Sequence, residues 1–172
     1  MTTPNLVPGF PSMRVVGLAG WSGAGKTTLI TQVVPLLKRR GLRVATVKHA
    51  HHAADIDHPG TDSFRHRAAG ATEVALVTAQ RFAIVREQEE PRLAEVLARL
   101  APADLVLVEG FKTAPHPKIE VRADETRPMA PADYNIVVIA SDRAGEGGLP
   151  RFARDDIAGI ADFIAAHVAR DG

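Results

Sequence analysis

The residues with the clearest chemistry are Gly20-Trp21-Ser22-Gly23-Ala24-Gly25-Lys26-Thr27, which fit G-x-x-x-x-G-K-[ST] without a mismatch. Glycines at this spacing let the backbone curl until several N–H groups point at one anion. A helix starting at Lys26 adds the partial positive charge of its N-terminus. Lys26 then reaches the β- and γ-phosphate oxygens, and the Thr27 hydroxyl is placed to bind Mg²⁺. The candidate nucleotide contacts are therefore Gly20, Ser22, Gly23, Ala24, Gly25, Lys26, Thr27 and Thr28, with the phosphates held by backbone N–H groups of residues 23–28.

A Mg²⁺ site next to such a loop needs a carboxylate. Asp104-Leu105-Val106-Leu107-Val108-Glu109 offers two. Ligands of a doubly wound sheet lie beyond the carboxyl ends of its strands. At about 3.3 Å per residue, Asp104 sits roughly 16 Å behind Glu109. Only Glu109 can serve, for Mg²⁺ through a bound water or for the attacking water. The bland alternative is a solvated loop charge. Lys26 and Glu109 are the candidate catalytic pair, and Gly110 lets the chain turn close to the ligand.

Lys48-His49-Ala50-His51-His52 enters a polar loop that continues through Asp55, Asp57, His58 and Asp62. Imidazole and carboxylate suit a transition metal, but the ligands have no regular spacing. The position also suits a switch-like loop. Asp57 is then a candidate nucleotide contact and Asp62 a candidate metal contact. A hydrated surface loop is the third reading. The guanine-reading tetrad N-K-x-D is absent. Asp142, after the apolar run Ile136–Ala140, can accept from a guanine edge or simply start a turn. Residue chemistry alone favours neither GTP nor ATP.

These residues need an alternating framework. Arg14–Ala19 reads as a buried strand and Lys26–Arg40 as an amphipathic helix kinked at Pro35. Further strands are expected at Arg43–Lys48, Asp104–Val108, Lys118–Arg122 and Ile136–Ala140. Helices are expected at Asp62–Ala69 with Asp62 as cap, at Pro91–Leu100, and at Asp155–Arg170. Glu73–Thr78 and Arg81–Arg86 read as a hairpin, whose exposed apolar residues suit pairing with another subunit. The fold class is α/β: a P-loop NTPase with a mostly parallel doubly wound sheet and an added antiparallel hairpin. Residues 1–12 read as a flexible leader and 13–172 as a single nucleotide-binding domain.

Composition sets outer bounds. The 172 residues hold 21 Lys+Arg and 20 Asp+Glu, a formal charge of +1, and no Cys. That balance argues against a nucleic-acid partner held by bulk charge. Zero Cys excludes disulfides, a thiol nucleophile and thiolate metal ligation. No apolar run approaches the ~20 residues of a membrane helix, and the start lacks the basic and apolar parts of a secretory signal. A cytoplasmic location with no membrane partner is expected.

Taken together, G-W-S-G-A-G-K-T-T-L (20–29), K-H-A-H-H (48–52), D-H-P-G-T-D-S (57–63), A-G-A (69–71), R-F-A-I-V (81–85), D-L-V-L-V-E-G-F-K (104–112) and P-K-I-E-V (117–121) resemble the MobB family of molybdopterin-guanine dinucleotide biosynthesis proteins. The resemblance runs from about residue 14 to residue 170. Thr61 departs from it, standing where the family usually has lysine. The resemblance implies a GTP-binding accessory protein with weak GTPase activity. It implies a homodimer with a sheet extended across subunits. It also implies partnership with the molybdenum cofactor guanylyltransferase, which joins a GMP moiety to molybdopterin. Two rival readings are a nickel metallochaperone GTPase, motivated by His49, His51 and His52, and a small-molecule P-loop kinase.

Overall fold

The computed structural model describes residues 6–7, 10–50, 57–123, 127–130, 132–143 and 148–169. Contacts group the chain into two compact units, Met1–His49 with Leu93–Gly172, and Ala50–Arg92.

The first unit is the nucleotide-type sheet. Its strands are β1 (Leu6–Val7), β2 (Phe10–Ala19), β3 (Val44–Lys48), β6 (Leu105–Glu109), β7 (Lys118–Val121), β8 (Ile136–Ala140) and β9 (Arg151–Phe152), with β4 (Glu73–Val77) and β5 (Phe82–Arg86) in the second unit. They lie in the order β3-β6-β2-β7-β8-β9, all parallel, while β1 pairs antiparallel with β2. The strand β2 starts at Phe10 rather than Arg14, so β1 and the start of β2 occupy part of the expected leader. The two-residue strand β9 is too short for a periodic signal, and the sequence reading omits it.

Side chains alternate across the sheet, as pleating requires. Val16, Leu18, Leu105, Leu107, Ile119 and Val121 face one layer, with Leu29, Val33 and Leu37 of α1 (Lys26–Arg39) and Ile160 and Ile164 of α4 (Ile157–Ala169). Met13, Val15, Val106 and Val108 face the other, with Leu93 and Leu97 of α3 (Leu93–Leu97). Each such side chain contributes roughly 1.5–3 kcal/mol on burial. Helix α1 runs through Pro35 to Arg39, and α3 starts two residues after Pro91. The fold is thus α/β of the P-loop NTPase class.

The second unit holds α2 (Asp62–Ala68) and the hairpin of β4 (Glu73–Val77) with β5 (Phe82–Arg86). Thr61, not Asp62, caps α2, accepting from the Phe64 N–H at 3.2 Å. Asp62 is one residue too late, already in helical conformation. The hairpin turn closes on Thr78, whose hydroxyl accepts from the Arg81 N–H at 3.0 Å. Leu76, Val77, Phe82 and Ile84 of the hairpin are exposed.

Candidate nucleotide site

Strand register brings the site residues together. Leu18 of β2 and Lys48 of β3 both stand opposite Glu109 of β6, so three strands end in one row. The chain leaves β2 at Gly20, where a Cβ would lie 2.4 Å from the carbonyl oxygen of Val121. Only glycine permits that approach. The loop then enters α1 through Gly25, a left-handed cap that supplies no side-chain bond. The first N–H groups of α1 are left for an anion.

The Lys26 ammonium lies over the loop and donates to the carbonyls of Gly20 at 3.0 Å and Trp21 at 2.8 Å. Burial lowers its pKa, Glu109 opposes that, and Lys112 and Lys48 lower it further. The Thr27 hydroxyl lies 2.9 Å from both carboxylate oxygens of Glu109. Lys48 Nζ sits 3.6 Å from Glu109 Oε1 and 3.5 Å from the Thr27 hydroxyl. Glu109 thus pairs with Lys48 and acts on Lys26, while Lys48 and Lys112 both act on Lys26, so three ammonium groups surround the loop mouth, a field suited to a polyanion. A hydroxyl and a carboxylate side by side are hard oxygen donors of the kind Mg²⁺ takes beside phosphates and water.

Asp104 lies at the opposite end of β6. Its carboxylate holds the Arg43 guanidinium at 2.7 Å and the Arg43 N–H at 2.7 Å. Those bonds keep its pKa below the ordinary carboxylate value.

The chain turns sharply after Glu109. Gly110 has φ 96° and a Cβ there would lie 2.8 Å from that of His49. Phe111 follows at φ 46°, a strained conformation for a non-glycine residue. Its ring stacks on His49 with centroids 4.4 Å apart, which packs the strained turn in place. Lys48 and Phe111 are site residues that sequence reasoning missed. Aligning the strand ends would have found Lys48, but a positive φ at phenylalanine has no sequence signature.

Asp57 and Asp62 belong to the second unit. Asp57 is buried and accepts from the hydroxyls of Thr61 at 2.9 Å and Ser63 at 2.8 Å, with Arg67 Nε at 3.6 Å. Burial pushes its pKa up, but the two hydroxyls and Arg67 outweigh that and lower it. Thr61 thus links cap and carboxylate. Asp62 is exposed and lies 3.4 Å from Arg65. His51, His52 and Asp55 lie outside the described residues. Among the described residues no group of three His, Cys, Asp or Glu can hold a metal ion.

Asp142 follows β8 as expected. It accepts from the Arg154 N–H at 2.9 Å and pairs with the Arg154 guanidinium at 2.6 Å. These bonds, the backbone one first, lower its pKa. They tie the end of β8 to the segment after β9.

The model of the family "MobB: Molybdopterin guanine dinucleotide synthesis protein B" matches residues 15–142. The chain is 38% identical over 154 residues to a molybdopterin-guanine dinucleotide biosynthesis adapter protein of Haemophilus influenzae, covering 87% of this chain and 86% of that one. It is 37% identical over 158 residues to the protein of that name in Escherichia coli, covering 87% and 90%. A solved molybdopterin-guanine biosynthesis protein B superposes with a TM-score of 0.72 at 30% identity, covering 90% of this chain and 98% of that one. Among the described residues no helix is long and apolar enough to cross a membrane.

Proposed function

Because the chain belongs to the MobB family, we propose that it is an adapter in molybdopterin-guanine dinucleotide biosynthesis that binds GTP with Mg²⁺ and hydrolyses it slowly. The observation that carries this reading is the convergence of Lys26, Thr27 and Glu109 on one loop mouth. Backbone N–H groups of residues 23–28 hold the phosphates, and Lys26 neutralises their charge. Thr27 and Glu109 hold Mg²⁺, which when bound neutralises charge on the β- and γ-phosphates. Asp57, Asp62 and Asp142 are secondary candidates: Asp57 and Asp142 are already bonded to other side chains, and Asp62 is exposed.

No catalytic arginine or glutamine aimed at the loop is identifiable among the described residues, which suits slow turnover. The preference for GTP rests on the family and not on a base pocket. The partner is a guanylyltransferase acting on the molybdopterin cofactor, and the setting is cytoplasmic. The exposed apolar hairpin supports a homodimer joined there. Sedimentation should report a dimer that Phe82→Lys converts to monomer.

The deciding experiment is calorimetry with GTP and Mg²⁺. Lys26→Ala should abolish tight binding. Unchanged affinity would sink the assignment.

A further inference from the structure

Beside the Gly20–Thr27 loop lies an open groove of about 620 Å³, bordered by Trp21, Lys112, Arg127, Met129, Tyr134 and Asn135. Its volume is that of a small-molecule site. We propose that this groove is a second binding site, for a planar heteroaromatic molecule bearing an anionic group, seated next to the nucleotide.

The walls are fixed by charges that β7 carries into the interior. Lys118 is fully buried. Its ammonium donates to the Ala114 carbonyl at 2.8 Å and pairs with Asp133 at 3.1 Å. One cation thus clamps the segment after β6 to the segment before β8. Glu120, 1% exposed, accepts from the N–H groups of Met129 at 2.7 Å and Ala130 at 3.1 Å, and pairs with Arg122 at 2.7 Å. Burying charge is costly, and apolar side chains would hold a sheet as well. What these contacts add is a fixed position for both borders of the groove.

The lining matches a flat anion. The Trp21 indole is 44% exposed and its N–H donates to the Arg127 carbonyl at 2.7 Å, which orients the ring. Tyr134 is 94% exposed, an aromatic ring that the fold does not pack. Ring faces of this kind stack on planar heterocycles. Lys112 Nζ stands 5.1 Å from the indole centroid. Neither Lys112 nor Arg127 is paired with a carboxylate among the described residues, and the groove's own carboxylate, Asp133, is already met by Lys118. The net charge of the lining is positive, so the ligand is an anion.

The proposal rests on the adapter reading for the neighbouring nucleotide and for the choice of a pterin as the ring. The test is fluorescence anisotropy of a pterin carboxylate, with and without excess GTP and Mg²⁺. The chain's one tryptophan, Trp21, gives a second signal by quenching. Saturable binding that persists with GTP is expected, weakened at least tenfold in both Arg127→Ala and Tyr134→Ala. An uncharged pterin should bind more weakly. Both substituted side chains are exposed, and equal unfolding midpoints would certify the fold. Absent binding, binding indifferent to both substitutions, or displacement by GTP would overturn the second site. Calorimetry of GTP on the unsubstituted chain tests the nucleotide reading separately, so either can fail alone.

Discussion

Strands β6 and β7 flank the same strand, β2, and are made of opposite materials. From Leu105 to Val108, β6 is apolar on both faces and fully buried. It is the ordinary content of a parallel strand covered on both sides. Only its last residue, Glu109, reaches the site. In β7, Ile119 and Val121 enter the apolar layer, while Lys118 and Glu120 put buried charges on the other face. One strand is held by burial and delivers a single functional group at its end. The other trades burial for ion pairs along its length and thereby fixes the loops around it. The contrast separates stability from geometry: β6 supports the fold and β7 supports a shape.

The largest effect should come from breaking the charge clamp. Lys118→Met leaves Asp133 unpaired and should cost about 3–5 kcal/mol in urea denaturation. A loss under ~1 kcal/mol would remove the contrast. Leu107→Ala, the cavity test on β6, should cost about 3 kcal/mol, with little change in groove binding.

Acid should act next, through His116. This buried ring packs against Gly17, and burial together with the Lys118 ammonium pushes its pKa down to about 4, with Asp133 opposing. Unfolded, it titrates near 6.5. Between those values the unfolded chain takes up a proton that the folded chain refuses. Stability therefore falls as pH drops from about 6.5 to 4, by on the order of 2–3 kcal/mol. The carboxylates whose pKa values are lowered begin to lose their contribution as pH falls through their ordinary values of 4.5 for Glu120 and 3.8 for the aspartates, so they overlap only the acid end of that window. His116→Gln should flatten the decline, and an unchanged slope would assign it elsewhere.

The smallest effect on stability compares the two ends of β6. Asp104→Asn should lower the unfolding midpoint slightly and leave nucleotide affinity alone. Glu109→Gln should weaken the Mg²⁺ dependence of GTP binding with little change in midpoint. Equal effects on affinity would contradict the division of roles between these carboxylates.

Much of this was legible in the residues. The glycine loop, the alternation of strands and helices, and the choice of Glu109 over Asp104 as the carboxylate at the loop end follow from spacing and strand length. The use of β7 did not follow. K-I-E-V alternates like a half-solvated strand, and nothing local tells that Lys118 finds Asp133 fifteen positions later. Residues 127–129 and 132–135, which border the groove, carry no periodic signal at all. The capping role of Thr61 was missed because Asp62 beside it is an equally good capping type, and only backbone conformation separates them. Strand β1 was hidden among prolines and glycine.

The sheet order also governs how the chain can be built. Among the described strands, β2 finds its first parallel partner in β6, and β3 pairs with β6 alone. About 85 residues separate the end of β2 from the start of β6. At the ~5–20 residues per second of ribosomal synthesis, that is a wait of roughly 4–17 s. Through that interval β2 stays without its parallel ladders, β3 joins the wait once it is made, and the hairpin of residues 73–86 can close on local contacts. The arrival of one five-residue strand, four of its residues apolar, then docks two waiting strands at once, and the same event brings Glu109 to Thr27.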